Sequence, residues 1–233
     1  MSTKTKICFD CDKEFVSFDP YGRQCTVCAA AEKAIRLDQS RASNKARLEG
    51  KIPPLFRKTD TSHASFNAAA WNTIKDHRMS EDQPWLGFVG MTGRCKTRLA
   101  YLYAVEEIGR LTTVRHEDCE VLPSYEFVSS YEIGDAVMNQ YSNDYEVKNP
   151  AKARLSKIRE CDILLIDDIG KGRLTPAVAA ELFAIIDHRH AHLDRTIWTS
   201  NSPPEVIAAG LPEDMAGPFA GRLIEMSKTF TFK

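Results

Sequence analysis

The sequence predicts an α/β fold in which a parallel sheet is flanked by helices, with a small cysteine-bearing module in front of it. Three observations support this prediction. A buried strand at 85–89 leads into a glycine-bearing loop and a helix, and a second apolar strand at 163–166 ends in two acidic residues. Four cysteines in two C-x-x-C pairs precede both strands. Continuous apolar strands that alternate with helical patterns are typical of parallel sheets covered on both faces.

The first of these features is the segment 85–97, with the sequence WLGFVGMTGRCKT. A strand, a glycine-bearing loop, Lys-Thr and a helix in this order suit a nucleoside triphosphate, because N–H groups of the loop and of the helix N-terminus surround the phosphates. Lys96 would contact the β and γ phosphates, and the Thr97 hydroxyl would coordinate Mg²⁺. The predicted nucleotide-contacting residues are Gly90, Met91, Thr92, Gly93, Arg94, Cys95, Lys96, Thr97 and Arg98.

Cys95 departs from the loop motif G-x-x-x-x-G-K-[ST], which has glycine at this position. Glycine allows the backbone to pass close to a phosphate, whereas a Cβ collides with it or forces a strained φ. A thiolate there would also repel the phosphates. We therefore expect nucleotide binding to persist, with a lower affinity or a slower turnover.

The second apolar strand ends in Asp167 and Asp168. Its carboxyl end is the edge at which open α/β sheets bind ligands. We assign Asp167 to the magnesium, directly or through water, and Asp168 to the base that orients or deprotonates the attacking water. A strand followed by an acidic turn is the alternative, and the preceding phosphate loop argues against it.

The cysteine pattern is Cys8-x2-Cys11-x13-Cys25-x2-Cys28. In a chain with no visible export signal, two C-x-x-C pairs favour a zinc site over disulfides. Four thiolates complete a closed tetrahedron, so the predicted Zn²⁺ is structural rather than catalytic. A redox-active pair and unliganded thiols are the alternatives.

Composition and charge exclude several classes of protein. Hydrophobic residues make up 43% of the 233 residues and charged residues 27%, which is ordinary for a globular chain. No apolar run approaches the roughly 20 residues of a membrane span, so we expect a cytoplasmic protein with no membrane partner. Residues 1–60 hold 12 Lys and Arg against 8 Asp and Glu, although the whole chain has a net charge of −1. This asymmetry suits either a nucleic-acid contact or a solvated linker.

The predicted boundary lies near Gly50, where Pro53-Pro54 follow an alanine-rich, charged helix at 29–48. Residues 1–50 would form the zinc-binding module with a basic linker helix, and residues 51–233 the main domain. We expect an exposed loop at 142–152. The segment 111–123 has the weakest pattern, in which Val114 and Val121-Leu122 fit short strands. Further helices are predicted at 68–77, 97–108, 132–141, 153–159, 176–190 and 205–209, and strands at 125–128, 196–200 and 229–232.

Three histidines lie near the end of the predicted helix at 176–190, at positions 188, 190 and 192. His188 and His192 share a helical face, but the sequence indicates no further ligand beside them. An exposed helix end is therefore the preferred interpretation over a metal site.

From residue 52 onwards, the sequence resembles AAA+ ATPases of the DnaC/IstB-like branch. This branch contains loaders of replicative helicases and helper ATPases of some transposons. The resemblance rests on five motifs in order: IPPLFR at 52–57, GMTGRCKT at 90–97, LLIDDIG at 164–170, WTSN at 198–201 and GRL at 221–223.

The resemblance implies roles for three further residues. Phe56 would lie at the adenine pocket, and Asn201 would contact the γ-phosphate or the attacking water. Arg222 would act as an arginine finger on the nucleotide of a neighbouring subunit, so ATP binding would be coupled to the assembly of a homo-oligomer. The segment after Arg222 is too short for a full helical lid, so a truncated lid is expected.

The function that the resemblance implies is ATP-dependent loading of a replicative helicase onto single-stranded DNA, with ATP, Mg²⁺ and Zn²⁺ as cofactors. The zinc module would dock the helicase. Binding to DNA is expected to be weak, salt-sensitive and sequence-tolerant. Two alternatives remain open: a transposition helper that recruits a transposase, and a nucleotide-binding adaptor with little hydrolysis because of Cys95.

Overall fold

The computed structural model describes residues 4–232 except 18, 20, 60, 63–65, 117 and 173. The chain divides into two compact units. The first consists of Met1–Gly50 with Thr112–Leu122, and the second of Lys51–Leu111 with Pro123–Lys233. None of the described helices combines the length and the apolar character that a membrane crossing requires.

The described elements are, in chain order, β1 (Lys4–Ile7), β2 (Glu14–Ser17), α1 (Thr26–Lys51), α2 (Pro54–Arg57), α3 (Ala68–Ile74), β3 (Trp85–Gly90), α4 (Lys96–Leu111), β4 (Thr113–Arg115), β5 (Cys119–Val121), β6 (Tyr125–Ser129), α5 (Ser130–Asn139), α6 (Tyr145–Glu160), β7 (Ile163–Asp167), α7 (Pro176–His192), β8 (Arg195–Ser200), α8 (Pro204–Ala208), α9 (Glu213–Met226) and β9 (Ser227–Phe232).

The first unit is built from two hairpins and the long helix α1. The antiparallel pair β1–β2 encloses the first C-x-x-C turn, and the antiparallel pair β4–β5 contacts the middle of α1. Ser40 and Asn44 on α1 donate to the carbonyl oxygen of Glu120 at 3.2 and 2.8 Å. Arg36 of α1 lies 3.4 Å from the Asp118 carboxylate. Residues 112–122 thus pack with a helix that is about 75 residues away in sequence.

The second unit contains a five-stranded, all-parallel sheet in the order β6-β7-β8-β3-β9. When the five strands are numbered along the chain, this order is 5-1-4-3-2 from the β9 edge. β3 therefore lies between the fourth and the fifth strand, where the strand order reverses and α/β sheets bind ligands. The predicted α/β class with a parallel sheet is confirmed, and β7 is buried on both faces as expected.

Close packing between β3 and β8 depends on Gly87. A Cβ at this position would lie 2.4 Å from Cζ2 of Trp198, which is fully buried on β8. The Trp198 indole N–H donates to Ser227 Oγ at 2.9 Å and so links β8 to the start of β9. The glycine at Gly87 is required because the indole fills the space that a side chain would occupy.

One predicted segment is wrong. Residues 142–152 were expected to be an exposed loop, but α6 begins at Tyr145 and continues to Glu160. The Asp144 side chain caps the helix by accepting from the N–H of Glu146 at 2.9 Å. Asn149-Pro150 was interpreted as a break, yet Pro150 lies inside the helix. Burial of Ala151, Leu155 and Ile158 on one face stabilises the helix against the cost of the proline.

Candidate nucleotide site and cysteine cluster

The loop that joins β3 to α4 contains three residues with positive φ. The angles are 146° at Gly90, 82° at Gly93 and 61° at Cys95. A Cβ at Gly90 would lie 2.0 Å from the carbonyl oxygen of Phe232, so this position requires glycine. Cys95 has a Cβ in the left-handed region, which costs about 1–2 kcal/mol relative to the right-handed conformation. The backbone at Cys95 therefore has a conformation that favours glycine, although the residue carries a side chain.

Lys96 is the first residue of α4 and is 6% exposed. Its ammonium group donates to the carbonyl oxygen of Met91 at 2.8 Å and to Oδ1 of Asn201 at 2.9 Å. Burial lowers the pKa of the Lys96 ammonium, and the carboxylates of Asp168 and Asp167 oppose this shift. The lysine therefore bridges the phosphate loop and the end of β8, which are the two segments predicted to contact the γ-phosphate.

Asp167 accepts two hydroxyl hydrogen bonds on one oxygen. Thr97 Oγ1 donates to Asp167 Oδ1 at 2.8 Å, and Thr199 Oγ1 donates to the same atom at 2.6 Å. Burial raises the pKa of the Asp167 carboxyl, while these two bonds lower it. The pairing of Thr97 with Asp167 brings together the two predicted magnesium ligands, and hard oxygen ligands of this kind suit Mg²⁺. Thr199 was not predicted, although it lies in the WTSN motif.

Asp168 follows β7 with φ at 54°. Its backbone N–H donates to Thr199 Oγ1 at 2.8 Å, and Ser130 Oγ donates to its carbonyl oxygen at 2.8 Å. The carboxylate is paired with Lys171, whose Nζ lies 2.7 Å from Asp168 Oδ2. This ion pair was not predicted, and it raises the pKa of the Lys171 ammonium. The predicted base is therefore fixed at its backbone and neutralised at its side chain.

A cavity of about 470 Å³ lies beside these acids. Its lining includes Asp168, Lys171, Ser200 and Asn201, with apolar residues of the segment around α8 on the other side. Asp168, the predicted base, and Asn201, the predicted contact of the γ-phosphate, thus line the same cavity.

Phe56 contacts the phosphate-loop helix α4. Its ring stacks on Tyr101 with the centroids 5.2 Å apart and an interplanar angle of 17°, and the Arg98 guanidinium lies 5.6 Å from its centroid. Arg98 also donates to the carbonyl oxygen of Leu55 and to Thr59 Oγ1, both at 3.2 Å. The segment that the resemblance assigns to the adenine pocket is thereby attached to the helix that follows the loop.

Arg222 lies on α9 and contacts α7 of its own chain. It forms an ion pair with Asp187, and its guanidinium lies 4.8 Å from the centre of the Phe183 ring. Its Nη1 atom is buried and has no hydrogen-bond partner among the described residues. No hydrogen bond described here joins Arg222 to the phosphate loop or to the two acids of β7. Within one chain, the structure therefore places Arg222 in a different contact from the other predicted catalytic residues.

The four cysteines Cys8, Cys11, Cys25 and Cys28 lie together in the first unit, with all of their sulfurs within 4.8 Å of one another. Cys11 Sγ and Cys25 Sγ are 3.8 Å apart, and a tetrahedral site with Zn–S bonds of about 2.3 Å requires a separation of about 3.8 Å. The Cys25 backbone N–H donates to Cys8 Sγ at 3.3 Å and is the largest of several causes that lower the pKa of the Cys8 thiol to about 6, whereas the neighbouring cysteines raise the pKa of the Cys28 thiol. The donor set fits Zn²⁺.

Comparison with solved structures shows the class of fold: the chain shares the fold of AAA+ P-loop domains. The crystal structure of the DnaI protein matches with a TM-score of 0.54 and 17% identity, over 75% of this chain and 88% of that one. The DnaC helicase loader matches with a TM-score of 0.51 and 20% identity, over 80% of this chain and 99% of that one. The expected resemblance to this branch is confirmed at the level of the fold.

AMPPCP-bound DnaA from Aquifex aeolicus also matches, with a TM-score of 0.52 and 16% identity over 77% of this chain. This chain spans about half of the DnaA chains it matches, since it covers 51% of that structure. No protein-family model matches the sequence, and no curated protein is significantly similar to it. Identities of this size establish a shared fold, and function has to be argued from the site.

Proposed function

We propose that this chain is an ATP-dependent loader of a replicative DNA helicase. The observation that carries the proposal is the set of three direct hydrogen bonds at the carboxyl edge of the sheet, which joins Lys96 to Asn201 and both Thr97 and Thr199 to Asp167. The AAA+ fold adds support, because the matched structures include the DnaC helicase loader and DnaI.

In this proposal ATP binds at the loop between β3 and α4. The N-terminus of α4 and the loop N–H groups bind the phosphates, and Lys96 neutralises the β and γ phosphates. Thr97 and Asp167 would hold Mg²⁺, which would neutralise charge on the phosphates. Asn201 would orient the attacking water, and Asp168 would accept its proton once Lys171 leaves the carboxylate.

The first unit is the proposed docking module for the helicase. Phe9 and Tyr21 are 80% and 87% exposed and line a groove of about 700 Å³ beside the cysteine cluster. Large aromatic side chains with this exposure are typical of interaction surfaces. A structural zinc would hold the two C-x-x-C turns together and thereby shape the groove. The metal would then have a structural role and no catalytic one.

The proposal is tested by pull-down and loading assays with the replicative helicase of the source organism. We expect the tagged chain to retain the helicase when ATP is present, and to increase helicase binding to circular single-stranded DNA. Phe9→Ala with Tyr21→Ala should weaken the interaction about tenfold or more, since aromatic anchors of this type each contribute 1–2 kcal/mol or more. Val16→Ala is the matched control, because Val16 is 60% exposed on β2 but does not line the groove.

Two results would count against loading, and one against the docking groove. Retention of a transposase instead of the helicase would assign the chain to the transposition helpers. Helicase binding that is unchanged in the double variant would remove the docking role from the groove. Failure to bind ATP would remove the proposed function altogether.

A nucleotide-binding adaptor is the second candidate, and two observations favour it. Cys95 introduces a Cβ at a φ of 61°, and Asp168 is neutralised by Lys171. Both would slow hydrolysis without preventing binding. Bound ATP that persists over hours with helicase and single-stranded DNA present would support the adaptor over the loader.

Single-stranded DNA is proposed as a weak, sequence-tolerant partner. A strong preference for one duplex sequence would therefore contradict both the loader and the adaptor proposal.

A further inference from the structure

A third group of potential metal ligands lies at the end of α7 and contains His188, His192 and Asp194. The ligand atoms of these three residues all lie within 4.8 Å of one another. We propose that they bind one divalent transition-metal ion. The site is distinct from the cysteine cluster and uses none of the residues assigned to the nucleotide.

The two imidazoles are arranged as a pair on one helical face. They are four residues apart, and their ring centroids are 4.1 Å apart with an interplanar angle of 27°. His192 Nδ1 lies 2.8 Å from the carbonyl oxygen of His188. Because a carbonyl oxygen only accepts, Nδ1 carries the proton, and in the neutral ring Nε2 keeps its lone pair. Histidines that bind a metal through one ring nitrogen usually donate the N–H of the other nitrogen to an acceptor such as a backbone carbonyl, which fixes the orientation of the ring.

Asp194 supplies the ligand that sequence reasoning did not identify. Leu193 ends α7 in the left-handed conformation, with φ at 56°, and turns the chain back so that Asp194 lies beside the histidines. The Asp194 backbone is fixed: its N–H donates to the carbonyl oxygen of Arg189 at 3.1 Å, and its own carbonyl oxygen accepts from the fully buried Trp85 indole at 2.9 Å. The carboxylate is therefore held near the imidazoles by the fold itself.

The chemistry of the donor set selects the class of ion. Two imidazoles and one carboxylate favour borderline ions such as Zn²⁺ over Mg²⁺ and Ca²⁺, which prefer sets made of oxygen alone. Three protein ligands leave a fourth position for water or for another ligand. His192 is exposed and the other two residues are partly exposed, so an ion reaches the site from solvent without unfolding.

The test is equilibrium dialysis of the full chain against micromolar Zn²⁺, followed by metal analysis. We expect His188→Gln with His192→Gln to hold one Zn²⁺ per chain less than the wild type. This difference isolates the site whatever the occupancy of the cysteine cluster. Asp194→Asn should weaken the same binding step about tenfold or more. His190→Gln is the matched control, since His190 lies between the two ligands in sequence but its Nε2 faces Glu225 at 3.9 Å.

A second measurement on the wild-type chain does not depend on any variant. In NMR spectra of the six histidine side chains, Zn²⁺ should shift the resonances of His188 and His192 and leave His190 unchanged. Equal zinc content in the wild type and the double variant, or histidine resonances that do not move at 100-fold excess of Zn²⁺ over chain, would overturn the proposal. Thermal melts in the presence of a chelator check that each variant is folded.

Discussion

At the residue scale, Cys95 has the greatest consequence for the proposed chemistry. Its φ of 61° shows that the loop keeps the glycine-type backbone although a side chain is present. Strain of this kind is offset by the surrounding structure, here by the strand β3 and the helix α4 on either side of the loop. We therefore expect Cys95 to weaken nucleotide binding or turnover while the path of the loop is retained.

We predict that Cys95→Gly increases ATP affinity and turnover, because it removes the Cβ next to the phosphates and relieves a left-handed conformation that costs about 1–2 kcal/mol. Affinity for a fluorescent ATP analogue and the rate of phosphate release measure the two effects. Cys95→Ala is the control that separates the Cβ from the sulfur: it should resemble the wild type if the Cβ is responsible. If Cys95→Gly increased neither ATP affinity nor the rate of phosphate release, the loop would tolerate the Cys95 side chain without cost.

Asp167 leads to a prediction on pH. Burial raises the pKa of its carboxyl above the ordinary value of 3.8, so in the metal-free chain the ionised form costs stability. This cost is fully present above the raised pKa and disappears as pH falls below 3.8. Asp167→Asn keeps an oxygen for the Thr97 and Thr199 hydroxyls and removes the charge.

We therefore expect metal-free Asp167→Asn to melt at a higher temperature than the wild type at pH 7, with the difference shrinking towards pH 4. Melting curves in a chelator, recorded from pH 4 to pH 7, provide the measurement. The same variant should lose Mg²⁺-dependent ATP hydrolysis. A lower melting temperature at pH 7 would mean that the carboxylate stabilises the fold more than its burial costs.

The residues of the site that sequence reasoning missed share one property. Thr199, Lys171 and Asp194 act through contacts with residues that the motifs already name or that lie on another element. A motif fixes residue types at set spacings along one segment. The Thr199 contact arises instead from the pairing of β7 with β8, the Lys171 contact from the turn after β7, and the Asp194 contact from the turn after α7.

At the scale of elements, β3 and β7 were predictable because each is a continuous apolar run with a strong end signal, namely the glycine-bearing loop and the paired acids. β8 was predictable because its segment is rich in β-branched and aromatic residues and ends in the amide Asn201. The start of α6 was not, because Asn149-Pro150 has the local preference of a turn. Packing of one helical face against the core outweighed that preference. Segments in which local preference and tertiary packing disagree are the ones that a sequence analysis misplaces.

Arg189 of α7 is fully buried and connects the end of α6 and the following Cys161 to the start of β8. Its guanidinium donates to Thr196 Oγ1 at 2.7 Å and to the carbonyl oxygens of Arg159, Cys161 and Arg195 at 3.0, 2.8 and 2.6 Å. Burial lowers the pKa of this group, and the four acceptors offset the cost of removing it from water.

We predict that Arg189→Lys lowers the free energy of unfolding by about 3 kcal/mol, because an ammonium group reaches fewer of the four acceptors and leaves the others buried without donors. Urea denaturation followed by circular dichroism measures this change. Arg78→Lys is the matched control, since Arg78 makes only exposed contacts and should alter stability by less than about 0.5 kcal/mol. A similar effect of both substitutions would remove the special role assigned to Arg189.

At the scale of the whole molecule, the sequence predicted a division near residue 50, and the compact units divide there and again around residues 112–122. The sequence indicates short strands at Val114 and at Val121-Leu122 but not that they pack with the first unit, because these strands have only three residues each and are mostly polar. Truncation at residue 50 would leave this hairpin without Ser40 and Asn44. Point variants such as Phe9→Ala are therefore a better test of the first unit than deletion.

At this scale, the proposed role of Arg222 in trans depends on the contacts that hold its side chain. In one chain it is held by Asp187 and by the ring of Phe183. A role in trans requires the ion pair with Asp187 to open when a neighbouring subunit arrives. Asp187 is about half exposed, whereas the Arg222 side chain is 21% exposed, so water reaches the pair mainly from the Asp187 side.

We predict that Arg222→Ala and Lys96→Ala are each inactive in ATP hydrolysis, and that mixing the two restores part of the activity. In the mixed oligomer, a subunit with an intact phosphate loop can lie beside one with an intact arginine, whereas neither variant alone has such a pair. Phosphate release measured against the mixing ratio should pass through a maximum near equal amounts. A flat response, together with a lower melting temperature for Arg222→Ala, would instead assign Arg222 to packing between α9 and α7.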